Sequence, residues 1–149
     1  MLKEWGNAYW DLFHTLTYKL SSNHKVKELL DIYIDLCNIL PCPNCKEHAK
    51  SYLKSINTSN ITTREQLSKM FFDFHNNVNR KLRKKIFTQE KFDIMYSNKN
   101  LVDVLNTFIS IFMKYKRNGG LSINTLFKDR FINNFINFVK SNRALFNNN

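Results

Sequence analysis

The sequence predicts an all-helical fold on three observations. Apolar residues recur at steps of three and four along most of the chain, Gly and Pro number only three and two, and no alternating strand pattern is present. At 149 residues the chain fits one domain, long enough to bury roughly two-thirds of its unfolded surface without disulfide staples. A composition of 43 % hydrophobic residues with thirteen Phe supplies the core. The absence of a G-x-G-x-x-G loop excludes a Rossmann-type dinucleotide site.

Residues 5–21 place Tyr9, Phe13, Leu16 and Leu20 on one helical stripe and Trp10, His14 and Tyr18 on another, so this helix serves two faces. Residues 25–40 repeat Val26, Leu29, Leu30, Tyr33, Leu36, Cys37 and Leu40 until Pro41 stops the run, and Cys37 reads as a small buried hydrophobe. The chain re-enters a helix at Pro43, a residue suited to a first helical position. From there Cys45, Ala49, Tyr52, Leu53 and Ile56 share a face up to the loop at 57–60. Thr62-Thr63-Arg64-Glu65 is a capping-box signature for the next helix, whose inner face runs Leu67, Met70, Phe71, Phe74, Val78 and Leu82. Thr88 caps a short helix through Phe92 and Tyr96. Beyond Ser97-Asn98 the texture changes: residues 101–116 form an amphipathic helix, Gly119-Gly120 breaks it, residues 122–146 form another, and 147–149 fray. The boundary therefore divides residues 1–98 from a helical C-terminal extension, 99–149, in the same domain or packed on it.

The start of the chain has no apolar leader core, and no run reaches the eighteen or more apolar residues of a membrane span, so neither a secretory signal nor a transmembrane helix is expected. The net charge of +11 divides into +5 over residues 1–98 and +6 over 99–149. Such a balance suits a basic interaction module on nucleic acid or another anionic surface. It equally suits a compositional bias toward Lys, Ile, Phe and Asn, of which there are 21.

Chemistry concentrates at Cys42-Pro43-Asn44-Cys45, two of only three cysteines, spaced to form a disulfide at a helix N-terminus. Free N–H groups and the positive dipole end favour a thiolate there, with Cys45 expected as the better stabilised anion and Cys42 as the sulfur that meets incoming thiols. A structural zinc site of Cys37, Cys42, Cys45 and His48 and a thioredoxin-like motif are alternatives. The first conflicts with Cys37 on the core stripe, the second with the lack of a βαβ unit. A dithiol that oxidises repeatedly needs an electron sink, most simply a flavin. Trp10 and His14 on one face, His75, Asn76, Val78, Asn79 and Leu82 at helical spacings, and the cations of Arg80-Lys81-Leu82-Arg83-Lys84-Lys85 could hold its rings and pyrophosphate. Read singly, the aromatic and histidine residues are also ordinary core residues, and the basic run an ordinary solvated helix end.

Four separated elements in a fixed order resemble one family: Gly6-x3-Trp10-x3-His14-Thr15-Leu16, Leu40-Pro41-Cys42-x2-Cys45-x2-His48, the Thr62 to Glu65 cap, and His75-Asn76-x-Val78-Asn79-x2-Leu82-x-Lys84. Over residues 5–96 the chain resembles the FAD-dependent sulfhydryl oxidases of the Erv/ALR type, most closely the compact forms of large cytoplasmic DNA viruses. The resemblance implies a four-helix bundle plus a short fifth helix, binding FAD, usually a homodimer, that passes electrons from substrate thiols to O2 and yields H2O2. It implies Cys45 as the sulfur against the isoalloxazine ring and Cys42 as the exchanging sulfur. Trp10, His14, His48, His75, Asn76, Val78, Asn79, Leu82 and Lys84 would line FAD, and Tyr96 would stack on adenine.

Many family members carry Arg after the residue matching Gly6. Asn7 stands there instead, which shifts phosphate binding toward Lys81, Lys84 and Lys85. The chain lacks a second, shuttle cysteine pair, so its dithiol is expected to be reduced directly by a thiol-bearing protein, a thioredoxin-like or other viral redox relay partner. The viral resemblance implies a late protein working in the host cytoplasm, at the viral factory, and in the virion. No metal is expected.

Overall fold

A computed structural model describes residues 2–116 and 123–147. The described residues form seven α-helices: α1 Leu2–Lys19, α2 Val26–Cys37, α3 Pro43–Ser55, α4 Arg64–Lys81, α5 Gln89–Ser97, α6 Leu101–Lys116 and α7 Ile123–Ser141. Short 3-10 turns lie at Asn23–Lys25, Thr58–Asn60 and Arg143–Leu145. The only extended pairing among the described residues is an isolated bridge between Leu20 and Phe146. The fold is all-α: α1 to α4 form a bundle, and the short α5 lies against α1. No described helix is long and apolar enough to cross a membrane.

Helix α1 is central because both of its stripes are packed, the first buried and the second buried at His14 and half-buried at Trp10 and Tyr18. Tyr9, Leu12, Phe13 and Leu16 enter the core, while His14 faces α4 and α5. Phe13, Tyr33 and Phe71 join α1, α2 and α4, with ring centroids 4.7 to 5.1 Å apart. Burial of these large side chains is the main stabilising term, each contributing about 1.5 to 3 kcal/mol. Cys37 is buried as expected, and burial pushes its thiol up to about 12.

The extension covers another side of this bundle. Phe108 of α6 packs on Tyr9 at 5.2 Å and on Phe135 of α7 at 5.4 Å, and α7 also packs against α2. The chain end is tied back to α1: Ser21 N–H donates to Leu145 O at 2.7 Å and Asn147 N–H to Lys19 O at 2.8 Å. Asn147 is therefore held rather than frayed, while residues 148–149 and the expected break at Gly119-Gly120 lie outside the described residues.

Several element ends differ from expectation for identifiable reasons. Helix α1 begins at Leu2 and ends at Lys19, where Leu20 turns to pair with Phe146. Helix α2 stops at Cys37, three residues short, because Asn38 and Ile39 close a tight turn ahead of Pro41. The capping box of α4 is shifted by one residue: Thr63, not Thr62, is the N-cap, and Gln66, not Glu65, completes it. Gln66 Oε1 accepts from the N–H groups of both Thr62 and Thr63, at 2.8 and 3.1 Å, which satisfies two donors ahead of the helix. Helix α7 ends at Ser141 because the Asn142 amide donates back to Phe138 O at 2.8 Å.

Candidate active site

Pro41 and Pro43 frame the start of α3 so that Cys42 becomes its N-cap, with extended backbone (φ −113°, ψ 118°). Pro43 at the first helical position lacks only an N–H that would have no helical partner. Cys45, one turn in, is disulfide-bonded to Cys42 across a Cα separation of 5.2 Å. The free N–H of Cys45 donates to Cys42 Sγ at 3.2 Å. In the disulfide the helix end therefore donates to the Cys42 sulfur, because a cap side chain reaches back over the N3 amide. The better stabilised anion expected at Cys45 concerns the reduced protein. Both cysteines are partly exposed.

Helix α3 is docked on α4 by His48, whose Nε2–H donates to Asn77 Oδ1 at 2.7 Å and whose ring meets Phe74 edge-on at 5.8 Å. Phe74 is shared: Tyr52 stacks on it at 4.6 Å, and Trp10 of α1 approaches edge-on at 5.3 Å. One phenyl ring thus connects the dithiol helix to the α1 and α4 face.

On that face Trp10 lies flat on His75, centroids 4.1 Å apart and planes 4° apart, and the His14 ring is nearly parallel to both. His14 Nε2 and His75 Nδ1 share one hydrogen bond of 2.9 Å. Burial lowers both histidines: His14, further depressed by His75, lies well below the usual range, and His75, further depressed by the Lys84 charge, falls to about 4. Two neutral imidazoles result. Tyr96 of α5 lies 4.5 Å from His14, and burial followed by the Asp11 charge pushes its hydroxyl up.

The structure thus brings Trp10, His14, His75 and Tyr96 into one ring cluster. Asn76 and Asn79 are buried beside it, with Val78 half-buried. Both polar ends of the Asn76 amide are committed to the backbone of Phe87, a residue that sequence reading missed because it lies in an aperiodic loop. Asn77, at the unassigned position of the His75 motif, was missed for the same lack of pattern. Gly6 lies one turn before Trp10, and a Cβ there would meet nothing within 4 Å. Lys81, Lys84 and Lys85 are exposed and make no ion pair among the described residues, and Leu82 is 57 % exposed.

These residues fit a flavin dinucleotide. His14 Nδ1 is buried without a partner among the described residues, an arrangement that the polar edge of a heterocycle would satisfy. Exposed lysines nearby suit a pyrophosphate. The 4.1 Å contact leaves no room for a further ring between Trp10 and His75. Two surface hollows, of 220 and 430 Å³, are lined by other residues: one between α1 and α6, the other between α3 and α4 beyond Tyr52. Among the described residues no three His, Cys, Asp or Glu side chains gather to hold a metal.

A helical bundle with a disulfide capping one helix, beside a cluster of flat neutral rings, defines a thiol–disulfide redox protein. The family model of the Erv1/Alr family matches residues 7–97, and the chain belongs to that family. A FAD-linked sulfhydryl oxidase of African swine fever virus is 33 % identical over 95 residues, covering 62 % of this chain and 79 % of the viral protein. A putative FAD-linked sulfhydryl oxidase of invertebrate iridescent virus 3 is 33 % identical over 86 residues, 55 % of this chain and 58 % of its own. The FAD-linked sulfhydryl oxidase ERV1 of Arabidopsis thaliana is 34 % identical over 94 residues, 59 % of this chain and 47 % of the plant protein. The chain thus spans about half the length of that plant relative.

Proposed function

We propose that this chain is a FAD-linked sulfhydryl oxidase that introduces disulfides into a thiol-bearing protein. The observation that carries the proposal is the Cys42–Cys45 disulfide at the N-terminus of α3, docked through His48 and Phe74 onto the Trp10, His14 and His75 cluster. Cys42, at the cap, meets the substrate thiolate, and the Cys45 N–H steadies its sulfur. Cys45 is released as a thiolate and is the internal electron donor. FAD, when bound, supplies the two-electron acceptor and the route to O2, with H2O2 as product. Trp10, His14, Tyr96 and the buried Asn79 would hold its rings, and Lys81, Lys84 and Lys85 its phosphates. His14 and His75, being neutral, add no charge to the ring face.

The viral relatives support a viral protein. Work in the host cytoplasm, a redox relay partner as the electron source and a homodimer are further parts of this proposal. The zinc-bound interaction module is not favoured, since Cys37, one of its four ligands, is buried in the core. A visible absorption spectrum before and after anaerobic dithiothreitol tests the reading. Flavin bands that bleach with the dithiol and return with oxygen are expected in the parent protein and not in Cys45→Ser. Colourless protein, or undiminished bleaching in Cys45→Ser, would refute it.

A further inference from the structure

At the start of α3 the Cys45 N–H reaches Cys42 Sγ, and among the described residues Cys45 Sγ has no hydrogen-bond donor of its own. When the disulfide opens, the electron pair left on Cys45 needs another partner. Residues three and four positions on share the helix face with Cys45, and these are His48 and Ala49. Ala49 is fully buried and carries no polar group, which leaves His48. Helical side chains lean over the preceding turn, which for His48 is the turn holding Cys45.

The His48 ring is fixed from outside α3. Its Nε2–H donates to Asn77 Oδ1 at 2.7 Å, and Phe74 braces the ring edge-on. With Nε2–H committed to Asn77, Nδ1 is the ring nitrogen left for another partner. The titratable groups facing the pair are Asp73 and Lys81, one turn either side of Asn77 on α4, and Cys45 and Tyr52, one turn either side of His48 on α3. Asp73 is already paired with Lys69 at 2.7 Å.

We propose that His48 is a catalytic residue that receives the charge released on Cys45, and that Asn77 is the positioning residue that holds it there. The inference rests on the dithiol reading above and adds a partner to it. A substrate thiolate attacks Cys42 Sγ and forms the intermolecular disulfide. The Cys42–Cys45 bond breaks, its electron pair moves to Cys45 Sγ, and the Nδ1–H of the His48 imidazolium hydrogen-bonds the new thiolate. One disulfide is lost and one gained, so this step needs no external oxidant. Thiols of lower pKa leave faster, and an adjacent cation lowers the pKa of Cys45.

The test titrates each cysteine of the fully reduced, anaerobic protein by iodoacetamide alkylation across pH, with Cys42 and Cys45 separated by mass spectrometry. His48→Gln is expected to move the Cys45 midpoint up by roughly one unit or more and leave the Cys42 midpoint in place. Asn77→Ala moves Cys45 the same way by less. Asn77→Asp, whose carboxylate still accepts Nε2–H, restores the parent midpoint or lowers it. An unmoved Cys45 midpoint in His48→Gln, or equal shifts of both cysteines, overturns the proposal. Asn77 is exposed, so Asn77→Ala decides the matter if His48→Gln does not fold: an unmoved Cys45 midpoint there also overturns it. Flavin content, read from the visible spectra of the same preparations, reports on the oxidase reading independently. Colourless protein with a His48-dependent Cys45 midpoint would remove that reading and keep this one.

Discussion

Asn76 is bonded at both ends of its amide to a single residue, Phe87: Nδ2 donates to Phe87 O at 3.0 Å, and Phe87 N–H donates to Oδ1 at 2.9 Å. A side chain on α4 thereby imitates the edge of a strand and closes the loop that follows the helix. The clamp places the Phe87 ring 5.1 Å from His75 and 6.4 Å from Tyr96, so the loop becomes a wall of the ring cluster.

Asn76→Ala should therefore act through Phe87. Two partly buried hydrogen bonds at about 1 kcal/mol each put the loss of stability near 2 kcal/mol. Urea unfolding measures it, and Phe87→Leu, which keeps the backbone bonds, should cost less. Equal stability of Asn76→Ala and parent would mean the clamp is not formed in solution.

The loop itself begins with a strained residue. Arg83 has φ 56°, the only positive φ among the described non-glycine residues. It sits where Lys84 N–H reaches Asn79 O at 2.8 Å and Arg83 N–H reaches Arg80 O at 3.1 Å, the paired bonds of a Schellman helix end. A left-handed L residue costs roughly 1 to 2 kcal/mol, partly offset here by the greater chain entropy that glycine loses. Arg83→Gly is expected to raise stability by about 0.5 to 1 kcal/mol in urea unfolding. A lower midpoint would mean that the guanidinium contributes more than the strain removes.

The contrast between Phe92 and Phe87 shows what a sequence can convey. Phe92 and Tyr96 repeat at four after a Thr88 cap, a pattern dictated by helix geometry, and both are buried where that pattern puts them. The cysteine pair and its helix start were legible for the same reason, since proline and cap chemistry are local. Phe87 and Asn77 act across tertiary distance from positions without periodicity, so nothing local marks them. Which disulfide sulfur the Cys45 N–H reaches turns on a single N–H direction, and the capping box on which of two neighbouring threonines takes the N-cap. Such choices are decided by geometry within one turn, which composition does not carry.

The histidine pair makes the fold acid-sensitive. In the unfolded chain both imidazoles titrate near 6.5, whereas in the fold His75 is lowered to about 4 and His14 is lowered as well. A depressed folded value means protons bind preferentially to the unfolded chain. The associated stability is complete above about pH 6.5 and is lost as pH falls, for His75 down to about 4. The slope is at most roughly 1.4 kcal/mol per pH unit for each histidine. Urea midpoints measured near pH 7 and near pH 5 should differ accordingly, and His75→Gln should flatten the difference. An unchanged midpoint across that interval would contradict the buried neutral pair.

Residues 99–149 lie beyond the span matched by the family, yet their packing argues that they and residues 1–98 unfold as one body. Phe108 is fully buried between Tyr9 of α1 and Phe135 of α7, and the chain end is fastened to Lys19 and Ser21. Removing the extension would uncover Tyr9 and Trp5, a loss that a small bundle tolerates poorly. Phe108→Ala leaves a cavity at this seam and is expected to cost about 3 to 5 kcal/mol. The informative readout is the form of the transition, followed at once by far-ultraviolet circular dichroism and by the fluorescence of Trp5 and Trp10. A single cooperative unit shifts both probes together to a lower midpoint. A separate sub-domain would instead give an early loss of helix, from α6 and α7, while the Trp10 signal beside His75 persisted.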